Sequence, residues 1–162
     1  MQTSGTEECP PLLKPGEHSL SLEEVRELCV AQFPASPQRR KLYDGFCKFL
    51  DFVRHNNIEG EIWIGGSFLT QKPDPGDIDL VLYVDHRKLD IYSTEQQWLI
   101  ELLDDTDSML HQFGCHVFVE IVYEEGHHFH NSCNIQRLCW EDCWGTASDD
   151  REKGYVVLTT GC

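Results

Sequence analysis

Positive charge is scarce in this chain. Thirteen Lys and Arg stand against 28 Asp and Glu, for a formal net charge of −15. Sequence-blind binding to DNA or RNA draws most of its affinity from basic side chains that neutralise phosphates, so bulk nucleic-acid binding is not expected. The one basic run, Arg39-Arg40-Lys41, reads as the solvated face of a helix. Long apolar stretches are also missing: no run approaches the roughly 20 residues that span a bilayer. The opening MQTSGTEECP has neither a basic nor an apolar region, so it does not read as a secretion leader. These absences predict a cytoplasmic protein without membrane attachment. There is no internal repeat. Hydrophobic residues make up 40% and charged residues 25% of 162 positions, the profile of one globular domain.

Cysteine, by contrast, is plentiful, with eight in the chain. A chain of this size does not need disulfide staples, and without a leader free thiols are expected. The competing reading is a zinc site in the C-terminal third, where His127, His128, His130, Cys133, Cys139 and Cys143 crowd together. Their spacing lacks the short paired knuckles that mark such sites. Cys139 and Cys143 would share one face of a helix, as two ordinary core thiols also would.

Residues 1–17 read as a flexible lead-in, because Pro10, Pro11, Pro15 and Gly16 sustain neither a helix nor a central strand. Residues 18–162 then form a single domain. Ser21 and Glu24 make a capping-box pattern ahead of a short helix with Leu22, Val25 and Cys29 on one face. Ser36-Pro37 opens a second helix, whose apolar set is Leu42, Phe46, Phe49, Leu50 and Val53. Strands are predicted at 61–64, at 78–84 (apolar enough to be buried on both faces) and at 116–123. Between the last two, Ser93 and Gln96 suggest a capped helix ending near Gly114, with Trp98, Leu99, Leu102 and Leu103 inward. A weak helix at 132–144 and a last edge strand at 155–158 complete an α+β domain, a small mixed β-sheet flanked by helices.

The segment that carries chemistry runs from Ile64-Gly65-Gly66-Ser67 to Asp77-Ile78-Asp79. Side chains alternate along a strand, so Asp77 and Asp79 project to the same side, about Ile78. Two carboxylates that close repel each other unless a cation lies between them. Mg²⁺, a hard ion held by carboxylates, waters and substrate phosphates, is the natural occupant, with Mn²⁺ as the alternative. Upstream, Gly65, Gly66 and the Ser67 hydroxyl leave a strand where backbone N–H groups can cradle a polyphosphate. Thr70 and Lys72 lie in the loop between. Lys72 either reaches a triphosphate as a point charge or is an ordinary exposed lysine. A phosphate cradle facing a carboxylate pair is the equipment of metal-assisted phosphoryl or nucleotidyl transfer.

Gly66-Ser67, a nine-residue gap and Asp77-x-Asp79 resemble the signature of the polymerase-beta-like nucleotidyltransferase superfamily. The longer string G-G-S-F-L-T-x-K-x-x-P-x-D-I-D-L-V-L is similar to that of small, largely uncharacterised prokaryotic members. Pro15-Gly16, Leu22-Glu23-Glu24 and Arg39-Arg40 match their opening, so the resemblance covers most of the chain. It implies a polymerase-beta-like nucleotidyltransferase fold and transfer of a nucleoside monophosphate from a nucleoside triphosphate, ATP by preference, to a hydroxyl acceptor. Pyrophosphate is released. The family adds a third carboxylate, for which Glu120 in Val117-Phe118-Val119-Glu120-Ile121-Val122 is the candidate. The usual residue is aspartate, one methylene shorter, and the alternative for Glu120 is a surface position on an edge strand. Small members often serve as the transferase half of a toxin–antitoxin or phage-defence module, which implies a protein partner or acceptor, or an RNA. Two other readings stand beside this one: a catalytically weak nucleotide- or partner-binding module, and a zinc-stabilised interaction protein built on the His/Cys-rich tail.

Overall fold

The computed structural model describes residues 9–145 and 152–161. They form a five-stranded mixed sheet with helices on both faces. In chain order the strands are β1 (Gly16–Ser19), β2 (Glu61–Gly65), β3 (Ile78–Asp85), β4 (Cys115–Val122) and β5 (Gly154–Thr159). Across the sheet they run β1-β5-β2-β3-β4. β1 with β5 and β3 with β4 are parallel, while β2 is antiparallel to both of its neighbours. The expected α+β class is therefore observed. Two expectations change. Residues 155–158 lie inside the sheet rather than at its edge, because Gly16–Ser19 adds an outer strand. The lead-in also is ordered well before residue 18: Leu12 N–H donates to the Leu69 carbonyl and Gln71 N–H to that of Pro10. Residues 1–8 lie outside the described residues.

The helices start where local chemistry dictates. Ser21 and Glu24 form a reciprocal capping box for α1 (Leu22–Arg26), which continues into a single π turn at Glu27–Ala31. Ser36 caps α2 (Pro37–His55) with proline in its first turn, and all five predicted apolar positions of α2 are buried. The segment between β3 and β4 holds three helices, α3 (His86–Ile91), α4 (Thr94–Leu103) and α5 (Thr106–Phe113), instead of one long helix. Ser93 and Gln96 box the start of α4 as expected, but Asp105 then caps a new helix and Gly114, with φ of 69°, ends it. Trp98, expected inward, is 59% exposed, whereas Leu99, Ile100 and Leu103 are buried. The α4 apolar stripe is centred one residue later than Trp98 allows. α6 (His130–Gly145) follows β4. Among the described residues no helix is long and apolar enough to cross a membrane.

The two sheet faces differ sharply. On one, α2, α4 and α5 bury Ile62, Ile64, Ile78, Leu80, Leu82, Val117 and Val156 in one continuous apolar core. On the other, Trp63, Val81, Tyr83, Tyr155 and Val157 pack under Trp144 of α6, with Phe118 and Trp140 at the margin. Alternation along β3 places Asp79 on this second, smaller face, in line with Val81 and Tyr83.

Candidate metal centre

β3 and β4 pair so that Asp79 lies opposite His116. Asp77, just before β3, shares their side of the sheet. Ligand-capable atoms of Asp77, Asp79 and His116 lie within 4.8 Å of one another, and this is the only such group of three among the described residues. His116 Nδ1 is 3.1 Å from Asp79 Oδ1. Burial raises the Asp79 pKa, repulsion from Asp77 raises it further, and the nearby charges of His116 and Lys153 oppose both. A cation among these atoms would remove the repulsion.

The turn after β2 is built around Asp79. Gly66 has φ of 75° and ψ of −161°, a region open essentially to glycine alone. A Cβ there would stand 2.1 Å from Asp79 Oδ2. Backbone thus abuts the carboxylate, and any larger residue must displace it. Ser67 begins a short 3₁₀ turn immediately after the glycine that abuts Asp79. Gly65 has a different reason for being glycine. Its Cβ would meet the Trp144 indole at 2.4 Å, so Gly65 lies beneath α6 and is buried. Its contribution is to let that ring approach.

Beyond the turn, the loop to Asp77 is held from below by Arg39. This side chain is fully buried. It donates from Nε to Lys72 O at 3.1 Å, from Nη1 to Cys29 O at 3.0 Å and Phe68 O at 2.8 Å, and from Nη2 to Thr70 O and Lys72 O, both at 2.6 Å. The guanidinium fork is thus spent on backbone carbonyls, three of the four within the loop itself. Ser36 Oγ adds a bond to Asp74 Oδ1 at 2.8 Å, and Gln38 one to Pro75 O at 3.2 Å. The expected solvated cluster therefore applies to Arg40 and Lys41, which are exposed, but not to Arg39.

The remaining predicted residues divide. Thr70 is buried, its hydroxyl donating to Ser67 O at 2.7 Å and accepting from Lys72 N–H, so it shapes the loop from within. Lys72 is exposed. Glu120 is not brought to the centre. It shares the face of Asp79 but pairs with Tyr83, four residues further along β4 than His116. At about 3.3 Å per residue that is roughly 13 Å away. Its Oε1 instead accepts from the Trp140 indole at 3.2 Å. The third position of the centre is thus an imidazole, and the assignment of Glu120 as a metal ligand is corrected. His116 carried no motif of its own: only the parallel register of β3 and β4 reveals it. Lys153, buried just before β5, was equally silent.

A family model matches residues 7–159. The chain belongs to DUF6932, a family of unknown function. No curated protein and no solved structure matches it. The family span takes in the turn, the carboxylate pair, His116 and Arg39 alike.

The His/Cys-rich tail does not converge on a point. His86, Tyr123, His127 and His128 stack in sequence, with ring centroids 4.5 to 5.1 Å apart. His130 Nδ1 lies 2.8 Å from the Tyr123 carbonyl. On α6 Cys133 is buried, whereas Cys139 and Cys143 are exposed. All seven cysteines among the described residues are free thiols.

Proposed function

We propose that this chain is a metal-dependent nucleotidyltransferase of the polymerase-beta-like kind, transferring a nucleoside monophosphate from a nucleoside triphosphate to a hydroxyl acceptor. The observation that carries this reading is the convergence of Asp77, Asp79 and His116 beside the Gly66-Ser67 turn. Asp77 and Asp79 would hold a divalent cation, and His116 would complete the protein's share of its ligands. Oxygen ligands suit Mg²⁺, whereas an imidazole in the set favours a softer ion such as Mn²⁺. When bound, such an ion neutralises triphosphate charge and aligns the attack.

The chain's own groups account for the rest. The Gly66-Ser67 turn offers backbone and a hydroxyl against the phosphates, on the same side as the carboxylates. Arg39 keeps the loop from Phe68 to Lys72 in one shape, so these groups need not be organised at the moment of reaction. The acceptor oxygen bonds to the α-phosphorus, its proton passes to solvent or a neighbouring carboxylate, and pyrophosphate leaves with the bonding electron pair. With a net charge of −15, a protein hydroxyl or a short RNA end suits this surface better than a long nucleic acid. That range of acceptors agrees with a role in a toxin–antitoxin or phage-defence pair.

One observation favours a second reading, a nucleotide-binding module with weak or no transfer activity. An imidazole stands where the superfamily pattern has a carboxylate, which leaves the centre one negative charge short. Incubation with each α-labelled nucleoside triphosphate and Mg²⁺ or Mn²⁺ in a lysate separates the two. Label appearing on an acceptor with the wild type, but not with D77A/D79A, supports transfer. Metal-dependent nucleotide binding without label on any acceptor supports the binding module.

A further inference from the structure

Glu120 lies too far from the carboxylate pair to share its metal, yet it does not stand alone. His116, Phe118 and Glu120 alternate along one face of β4, starting at the candidate metal centre and running away from it. β4 is the outer strand of the sheet on this side, and all three side chains are half-buried. The His116 and Phe118 rings are 4.5 Å apart by centroid, and the Phe118 ring is 4.8 Å from that of Trp140 on α6. Trp140 in turn donates to Glu120. An aromatic strip, partly open to solvent, thus leads from the metal centre to one carboxylate about 13 Å along the strand. That is on the scale of a nucleotide extending from its phosphates through ribose to the far edge of its base.

We propose that Phe118, Trp140 and Glu120 form the base-binding subsite of this centre, taking a nucleobase that carries an exocyclic amine. The inference rests on the nucleotidyltransferase reading above and extends it to the identity of the nucleotide. Phe118 and Trp140 supply faces for stacking, which every base can use. Glu120 supplies the selection. An ionised carboxylate only accepts hydrogen bonds. Adenine, cytosine and guanine each present an amino group to it, whereas uracil flanks its one N–H with carbonyl oxygens that a carboxylate repels. Burial raises the Glu120 pKa, and Trp140 only partly offsets this. A second donor arriving with the base would restore what burial removes. If Glu120 served only to fasten α6 through Trp140, the identity of the base would not matter.

The test compares dissociation constants of ATP, GTP, CTP, UTP and inorganic tripolyphosphate, each with Mn²⁺, for wild type, Glu120→Gln and Phe118→Leu. Glu120→Gln keeps side-chain size, Phe118→Leu keeps an apolar side chain while removing the ring, and melting curves check the fold of both. The expected result has three parts. The amine-bearing nucleotides bind wild type at least roughly tenfold more tightly than UTP or tripolyphosphate do. Glu120→Gln narrows the gap to UTP, because an amide donates as well as accepts. Phe118→Leu weakens all four nucleotides but not tripolyphosphate. Tripolyphosphate binding as tightly as every nucleotide overturns the base subsite and leaves the metal centre standing. Nucleotides outcompeting tripolyphosphate with no preference against UTP overturns the role of Glu120. No Mn²⁺-dependent binding of any of the five removes the nucleotidyltransferase reading, and the subsite with it.

Discussion

The two faces of the sheet obey opposite rules. The face under α2, α4 and α5 is almost wholly aliphatic and aromatic hydrocarbon, with Phe46, Phe49, Leu50, Ile62, Leu80 and Leu82 all fully buried. The face under α6 mixes Trp63, Tyr83 and Trp144 with Asp79, His116 and Glu120, and its outer strand is half open. One side is packed for stability. The other tolerates features that cost stability, such as two adjacent carboxylates and a Tyr83 hydroxyl buried without a hydrogen-bond partner. Repulsion between adjacent carboxylates is what a bound cation would relieve, and such perturbed groups mark a candidate site rather than a core.

The contrast breaks most visibly by mutation on the packed face. Phe46→Ala, at a fully buried position, should cost about 3–5 kcal/mol in denaturant unfolding. A cost near that of a surface change would mean that α2 does not anchor the core. Arg39→Met should follow, at about 3 kcal/mol or more, because buried carbonyls lose their donors. It should also reduce metal-dependent nucleotide binding, which Phe46→Ala at a matched loss of stability should not. Equal binding by both variants would limit Arg39 to a structural role. Gly66→Ala should cost roughly 1–3 kcal/mol for its backbone conformation. Since Asp79 must also move aside, the larger effect should appear in metal affinity.

The smallest effect is the pH dependence of Asp79. Its folded pKa is raised, so ionisation opposes folding. Its contribution is therefore favourable below the unfolded carboxylate range and is lost as pH rises through the folded pKa. Without metal, Asp79→Asn should be more stable than wild type at neutral pH, and the difference should shrink on acidification. Melting curves across that range check it, and a difference that grows toward acid contradicts the sign.

Much of this architecture was legible in the sequence. The capping residues Ser21, Ser36 and Ser93 mark their helices through local hydrogen bonds. The apolar run from Ile78 to Val84 announces a central strand, and Gly66 with the aspartate pair announces the turn and the carboxylates beside it. What stayed hidden depends on register and long-range pairing. His116 becomes a partner of Asp79 only because β3 and β4 pair in parallel at that offset, and the same offset carries Glu120 away. Gly16–Ser19, with no apolar alternation, is a strand only because β5 offers it an edge. Arg39 looked solvated because one-dimensional charge patterns do not show which side of a helix meets a loop 30 residues later. Trp98 fits the apolar stripe of its helix by spacing, yet it is exposed while Leu99, Ile100 and Leu103 are buried, so spacing alone does not fix where the stripe is centred.

The central claim is that Asp77 and Asp79 hold a metal ion for a nucleoside triphosphate. The most direct measurement is the melting temperature of wild type and of the D77A/D79A variant, each with Mg²⁺ or Mn²⁺, with and without ATP. Without metal the variant should melt at the same temperature as wild type or higher, because like charges have been removed. Metal with ATP should then raise the wild-type melting temperature and leave that of the variant unchanged. An equal rise in both proteins would contradict the account.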